Sequence, residues 1–154
     1  MHYREVTTDR QFLARLESGA DWREEIEALA DEAGIDAGWF VGIGAVSDAE
    51  VWYYDQADGE YHAVELDEPL EVAACLGNVS LLPDPAGSTG GATYESESGD
   101  RFAHTHAVLS RRSGGTLAGH LNAGTVFVGE IYMTAFERPL EREYDPALDL
   151  ELWL

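Results

Sequence analysis

Three histidines fall within seventeen residues, as His104-Thr105-His106 and then His120. In a strand, residues two apart point to the same face. His104 and His106 therefore present neighbouring imidazoles, which is what a tetrahedral cation asks of two of its ligands. His120 can supply a third if the chain reverses between them. Gly114-Gly115 and Gly119 mark turns that would fold the second strand back over the first. Three neutral imidazoles favour zinc, or another divalent transition metal, over magnesium or calcium, and leave a fourth position for water or a ligand. The competing reading makes the three histidines core or interface groups, stacked on Phe102 or bonded to backbone. His2 and His62 show no partner in the sequence and read as surface residues.

Glu130 is the other residue with chemical promise. It lies in Val126-Phe127-Val128-Gly129-Glu130-Ile131-Tyr132-Met133, a run apolar on both parities, which predicts burial on both faces. A buried carboxylate needs a partner to stay ionised. Three readings are open: a fourth metal ligand, a base acting on metal-bound water, or the ion-pair partner of Arg101, Arg111 or Arg112.

Other motifs carry less. Gly42-Ile43-Gly44 has Ser47 where a dinucleotide turn needs its third glycine, and it follows a helix and leads into strands, the reverse of that motif's order. Gly87-Ser88-Thr89-Gly90-Gly91 lacks the Lys of a phosphate loop. Asn78-Val79-Ser80 matches a glycosylation triplet but lies within a strand pattern. Cys75, the only cysteine, falls in an apolar run and reads as a small core residue.

One helix is written plainly over 21–33: Asp21 with Glu24 makes a capping box, Trp22, Ile26, Leu29, Ala30 and Ala33 line one face, and Gly34 stops it. Most of the remainder reads as strands, over 3–7, 11–16, 39–46, 50–54, 61–66, 70–81, 102–110, 115–118 and 125–137. Asp58-Gly59 between two runs is a hairpin signal, and short connections favour antiparallel pairing. The expected class is α+β: a mostly antiparallel β-sheet with one main amphipathic helix packed on it, as one domain over 1–154. The polar stretch 83–99 reads as a mobile loop. The tail 144–154 alternates acidic and apolar residues, as a segment covering a sheet edge or a neighbouring subunit does.

With 30 acidic residues against 9 basic ones in 154, the formal charge is −21, and all nine basic residues are Arg. At 45% apolar composition the chain can still build a packed interior, so the charge does not signal disorder. Absent Lys and abundant carboxylate read as adaptation to molar salt, where the Debye length shrinks to about 3 Å. No basic-then-apolar leader opens the chain and the longest apolar stretch, 37–46, is about half a membrane span; the expectation is a cytoplasmic protein with no membrane partner.

The order of these features is what identifies a relationship. Ala37-Gly38-Trp39-Phe40-Val41-Gly42-Ile43-Gly44-Ala45-Val46-Ser47, Tyr53-Tyr54-Asp55, Pro69-Leu70-Glu71-Val72, Gly77-Asn78-Val79-Ser80, His104-Thr105-His106-Ala107-Val108-Leu109, Gly119-His120-Leu121 and Gly124-Thr125 together resemble the plants-and-prokaryotes-conserved (PPC) domain over nearly the whole chain. The resemblance implies a homotrimer and, from some prokaryotic members, a metal site at positions matching His104, His106 and His120. It also implies a link to DNA, since plant members join the domain to AT-hooks and act as DNA-binding regulators. Here no Arg-Gly-Arg-Pro hook is present, Arg111-Arg112 is the only adjacent basic pair, and Pro69 stands where the plant partner-recruiting segment has Arg. Three copies would carry −63, which disfavours a direct grip on phosphate and favours contact through protein partners. The expected function is that of a DNA-associated or transcription-regulatory protein, acting directly or through partners, with the question of catalysis open. A zinc-dependent enzyme or sensor and a purely structural trimeric module are the alternatives.

The charge makes its own prediction. Thermal unfolding followed by circular dichroism should show the fold loosening below about 0.5 M salt as screening weakens; full stability in dilute buffer would refute the salt-adaptation reading.

Overall fold

The structure, a computed structural model, describes residues 1–82, 100–148 and 150–153. The loop expected over 83–99 lies outside the described residues. The described elements are β1 (Thr8–Leu16), α1 (Trp22–Ala33), β2 (Ala37–Val46), β3 (Ala49–Asp55), β4 (Glu60–Leu66), β5 (Leu70–Leu81), β6 (Arg101–Ser110), β7 (Thr116–Ala123), β8 (Val126–Phe136), β9 (Arg142–Asp145) and β10 (Leu150–Trp153). The first eight strands form one sheet in the order β1-β8-β2-β5-β6-β7-β3-β4, with every strand pair antiparallel. β9 and β10 form a separate hairpin.

The helix follows its sequence signals closely. Asp21 caps it, one carboxylate oxygen accepting from the backbone N–H of Arg23 and Glu24 at 2.9 and 3.0 Å. Gly34 ends it in the left-handed region at φ +63°, which a side chain rarely tolerates. Trp22, Ile26 and Ala30 are fully buried against one face of the sheet, with Leu29 and Ala33 packed at the margin. The second oxygen of Asp21 accepts from Gly124 N–H at 2.8 Å, so one carboxylate ties the helix start to the β7–β8 connection.

Two strand expectations are corrected. Residues 3–7 form no strand and are exposed: the β1–β8 register ends at Thr8 opposite Phe136, with one further bond from the Glu137 N–H to the Thr7 carbonyl. β7 runs well past 118, to Ala123. Gly119 is thus an in-strand residue rather than a turn; a Cβ there would press on Val51 Cγ1 and the Trp52 carbonyl, so glycine is what lets β3 lie alongside. The reversal between β6 and β7 is made by Gly114, at φ +85°.

Burial alternates along the strands, separating a core face from an outer face. On the core face lie Phe40, Cys75, Val79, Ala103, Ala107, Leu109, Leu121, Ile131 and Met133. Burial pushes the Cys75 thiol up to about 12, so it is a packing residue. On the outer face a single cross-strand row runs Leu13–Tyr132–Val41–Leu76–His106–His120–Trp52. Its first four members are exposed by 86, 40, 47 and 42%.

Asp21 provides a test of this arrangement. Asp21→Ala removes a helix cap and leaves the buried Gly124 N–H without an acceptor, a loss of about 2–4 kcal/mol in chemical denaturation. Asp21→Asn keeps one acceptor oxygen and should lose about half as much.

Candidate functional site

His104 and His106 project from one face of β6, and the β6–β7 register sets His120 directly opposite His106. The ring centroids lie 5.1 Å apart for His104 and His106, 5.1 Å for His104 and His120, and 5.6 Å for His106 and His120. One donor nitrogen from each ring falls within 4.8 Å of the other two. A tetrahedral ion with bonds of about 2.0–2.1 Å separates its ligands by about 3.3 Å, so small side-chain rotations close the remaining gap. His120 is buried, His104 half-buried and His106 exposed, which leaves the cluster open on the His106 side.

Each histidine is held by what surrounds it. His120 stacks on Trp52 at 6.1 Å and lies 6.1 Å from the Tyr61 ring. Glu50 fixes that wall by accepting from Trp52 Nε1 and Asn122 Nδ2. His104 stacks on Phe102 at 6.3 Å, and the residue opposite it on β5 is Asn78. Asn78 Oδ1 accepts from Arg142 at 2.7 Å, while the same guanidinium donates to Ser80 Oγ at 3.0 Å and to the Glu151 carbonyl at 2.9 Å. Arg142 also lies 5.2 Å over the Phe102 ring. From the helix, Glu27 accepts from the Ala103 N–H, next to His104, and pairs with Arg23 at 2.6 Å. Burial raises the Glu27 pKa, opposed by those two partners. Arg101 clamps the start of β6 to the helix end through Ile35, Asp31 and Asp36.

These surroundings decide the protonation of the cluster. Desolvation, helped by the Arg142 charge and the two other histidines, depresses His104 to about 3. Desolvation, with His106, Arg23 and Arg142, depresses His120 to about 4. Burial lowers His106 as well. All three imidazoles are therefore neutral near pH 7, with lone pairs free to donate, and the donor set fits a divalent transition ion. When bound, such an ion supplies a Lewis-acidic position for an exogenous ligand.

Glu130 does not join them. It is exposed on the outer face, opposite Arg15 and Ile43, and three strand spacings, about 14 Å, separate β8 from β6. The expected two-sided burial fails because only one face of β8 is covered by the helix; Phe127, Val128 and Tyr132 are exposed with it. Neither a ligand role within one chain nor an ion pair with Arg101 is open to it. His62, expected to lack a partner, lies 3.2 Å from Asp58 on the β3–β4 hairpin. Asp55, Asp58 and His62 also approach one another within 4.8 Å, but an oxygen of each aspartate already accepts from a nearby backbone N–H. The sequence alone does not place Asn78, Trp52 or Arg142 at the site. Arg142 lies just before the tail expected to cover a sheet edge or a neighbouring subunit, and that tail pairs with the residues around Arg142 as β9–β10.

No curated protein matches this sequence. Among solved structures, a metal-containing protein from Archaeoglobus fulgidus superposes with a TM-score of 0.84 at 35% identity, over 100% of this chain and 99% of that one. A plant- and prokaryote-conserved protein from Pyrococcus horikoshii gives 0.84 at 26% identity, over 100% and 97%. A Bacteroides thetaiotaomicron protein described as a candidate DNA-binding protein shares the fold, at a TM-score of 0.79 and 20% identity over 97% and 96%. The Plants and Prokaryotes Conserved (PCC) domain pattern matches residues 3–137. A match over that much of the sequence, joined to this sheet order and the helix packed on it, places the chain in the plants-and-prokaryotes-conserved domain family.

Proposed function

We propose that this protein is a homotrimeric, metal-binding PPC domain that acts in gene regulation, with His104, His106 and His120 holding a divalent transition ion, zinc foremost. The observation that carries the reading is the convergence of three neutral imidazoles from two adjacent strands. The metal-containing Archaeoglobus relative supports it. The trimer is supported by the exposed apolar side chains of the outer face, a patch that soluble monomers rarely leave uncovered. Regulation is what the family's plant branch does. The charge of −21 makes contact through a protein partner the better version of it, because counterion-driven phosphate binding needs clustered cations.

A second reading, a small-molecule sensor, is favoured by the aromatic wall of Trp52 and Tyr61 beside His120. The enzymatic variant loses its proposed base, since Glu130 lies three strands away.

Metal analysis of protein purified without a His tag should find about one transition ion per chain, and His120→Ala should lose it with the fold intact. Less than about a tenth of an equivalent in the wild type would refute the metal reading. A change of oligomeric state in His120→Ala at unchanged metal content would support the structural module instead. Duplex DNA titrated at rising KCl should give no specific complex with the isolated protein. A specific complex that persists at molar salt would establish direct binding and refute the partner-mediated version.

A further inference from the structure

We infer that the three-histidine centre is completed by assembly: a second copy of the chain, seated on the outer apolar face, covers the open side of His106, so that metal occupancy and association strengthen each other. The inference rests on the metal and oligomer readings above and adds a link between them.

The cross-strand row carries it. Leu13, Tyr132, Val41 and Leu76 are exposed apolar residues in consecutive register, and the next residue in the same row is His106, itself exposed, with buried His120 beyond it. Neighbouring members of a row are one strand spacing apart, about 4.8 Å. A body that covers Leu76 therefore comes into contact range of His106 and shields the side from which water reaches the donor set. Such shielding keeps competing water from the donor set and holds the imidazoles in place, which opposes release of a bound ion.

The charge distribution says what that body is. The centre of the face is a concavity of about 760 Å³ whose only ionisable side chains carrying full charge are Arg15 and Glu130, register partners of opposite sign. A chain of net charge −21 repels its copies on average over its surface. On this balanced, apolar floor two copies can approach, burying apolar side chains while Arg15 of each is available to a carboxylate of the next. A nucleic acid finds no cationic stripe here, and the face offers a polar partner only that single pair.

The test measures mass and zinc affinity on the same samples of the full chain. Mass comes from light scattering, and affinity from competition with a chelator. Ile43→Asp and Tyr132→Glu each place a charge on the exposed face, away from the histidine donors, and circular dichroism checks that each still folds. Both should be monomeric and bind one zinc at least tenfold more weakly than wild type. In the wild type, removing zinc should weaken association by the per-site factor once for each site that assembly covers, because coupling is reciprocal. Folded monomeric variants with wild-type zinc affinity would overturn the link. So would a wild type that stays monomeric with zinc bound, or one whose mass shows a different protein on this face. An assembled wild type that takes up no zinc would instead overturn the metal reading beneath it, which the mass and affinity readings separate.

Discussion

The register of β5, β6 and β7 is the constraint on which the site depends. Ala103, Thr105, Ala107 and Leu109 are buried on one parity of β6, and His104 and His106 occupy the other. A slip of one residue would drive both imidazoles into the core and expose four core positions, so the burial pattern that folds the sheet also aims the imidazoles. Gly77 adds a lock: a Cβ there would collide with the His104 carbonyl and the Phe40 ring, so β5 and β6 meet closely only because that position is glycine. The helix fixes the same strand from the side, through Glu27 on Ala103 and Arg101 on Ile35.

Within that frame, opposite requirements meet at the histidines. Burial and the Arg142 charge both disfavour imidazolium, which keeps the donors neutral but would also oppose a bare cation. A site of this kind tolerates nearby guanidinium because imidazole–metal bonds are short and strong relative to a screened charge farther away. Arg142 instead acts on shape: by gripping Asn78 and Ser80 and lying over Phe102, it fixes the residues behind His104. The C-terminal hairpin thereby becomes part of the site's scaffold, although the family match ends at residue 137.

How much of this the sequence disclosed depends on the range of the interaction involved. The helix was readable because its signals, Asp21, the Trp22–Ile26–Ala30 stripe and Gly34, are local. The histidine cluster was readable because strand parity makes His104 and His106 neighbours and a glycine turn brings back His120. Glu130 was misread for the opposite reason. An apolar run looks the same whether its second face meets a helix or stands uncovered, and only the sheet order, with the helix on one side, distinguishes the two. Arg142 was out of reach for a related reason: its side-chain partners Ser80 and Asn78 are more than sixty residues away in the chain, and nothing nearby specifies them.

The outer face turns that misreading into an argument about electrostatics. A chain with 30 acidic residues could have placed some on any exposed strand position, yet β1, β8, β2 and β5 present Leu13, Tyr132, Val41, Ile43 and Leu76 to solvent in one continuous field. Net acidity opposes contact between copies on average, whereas this field pairs Arg15 with Glu130 amid apolar side chains, so contact there would meet little repulsion and would bury apolar area. Negative charge is thus not simply a bar to partners. Acting over the surface as a whole, it would steer any association between copies toward the face where charge is balanced, and that face ends at His106.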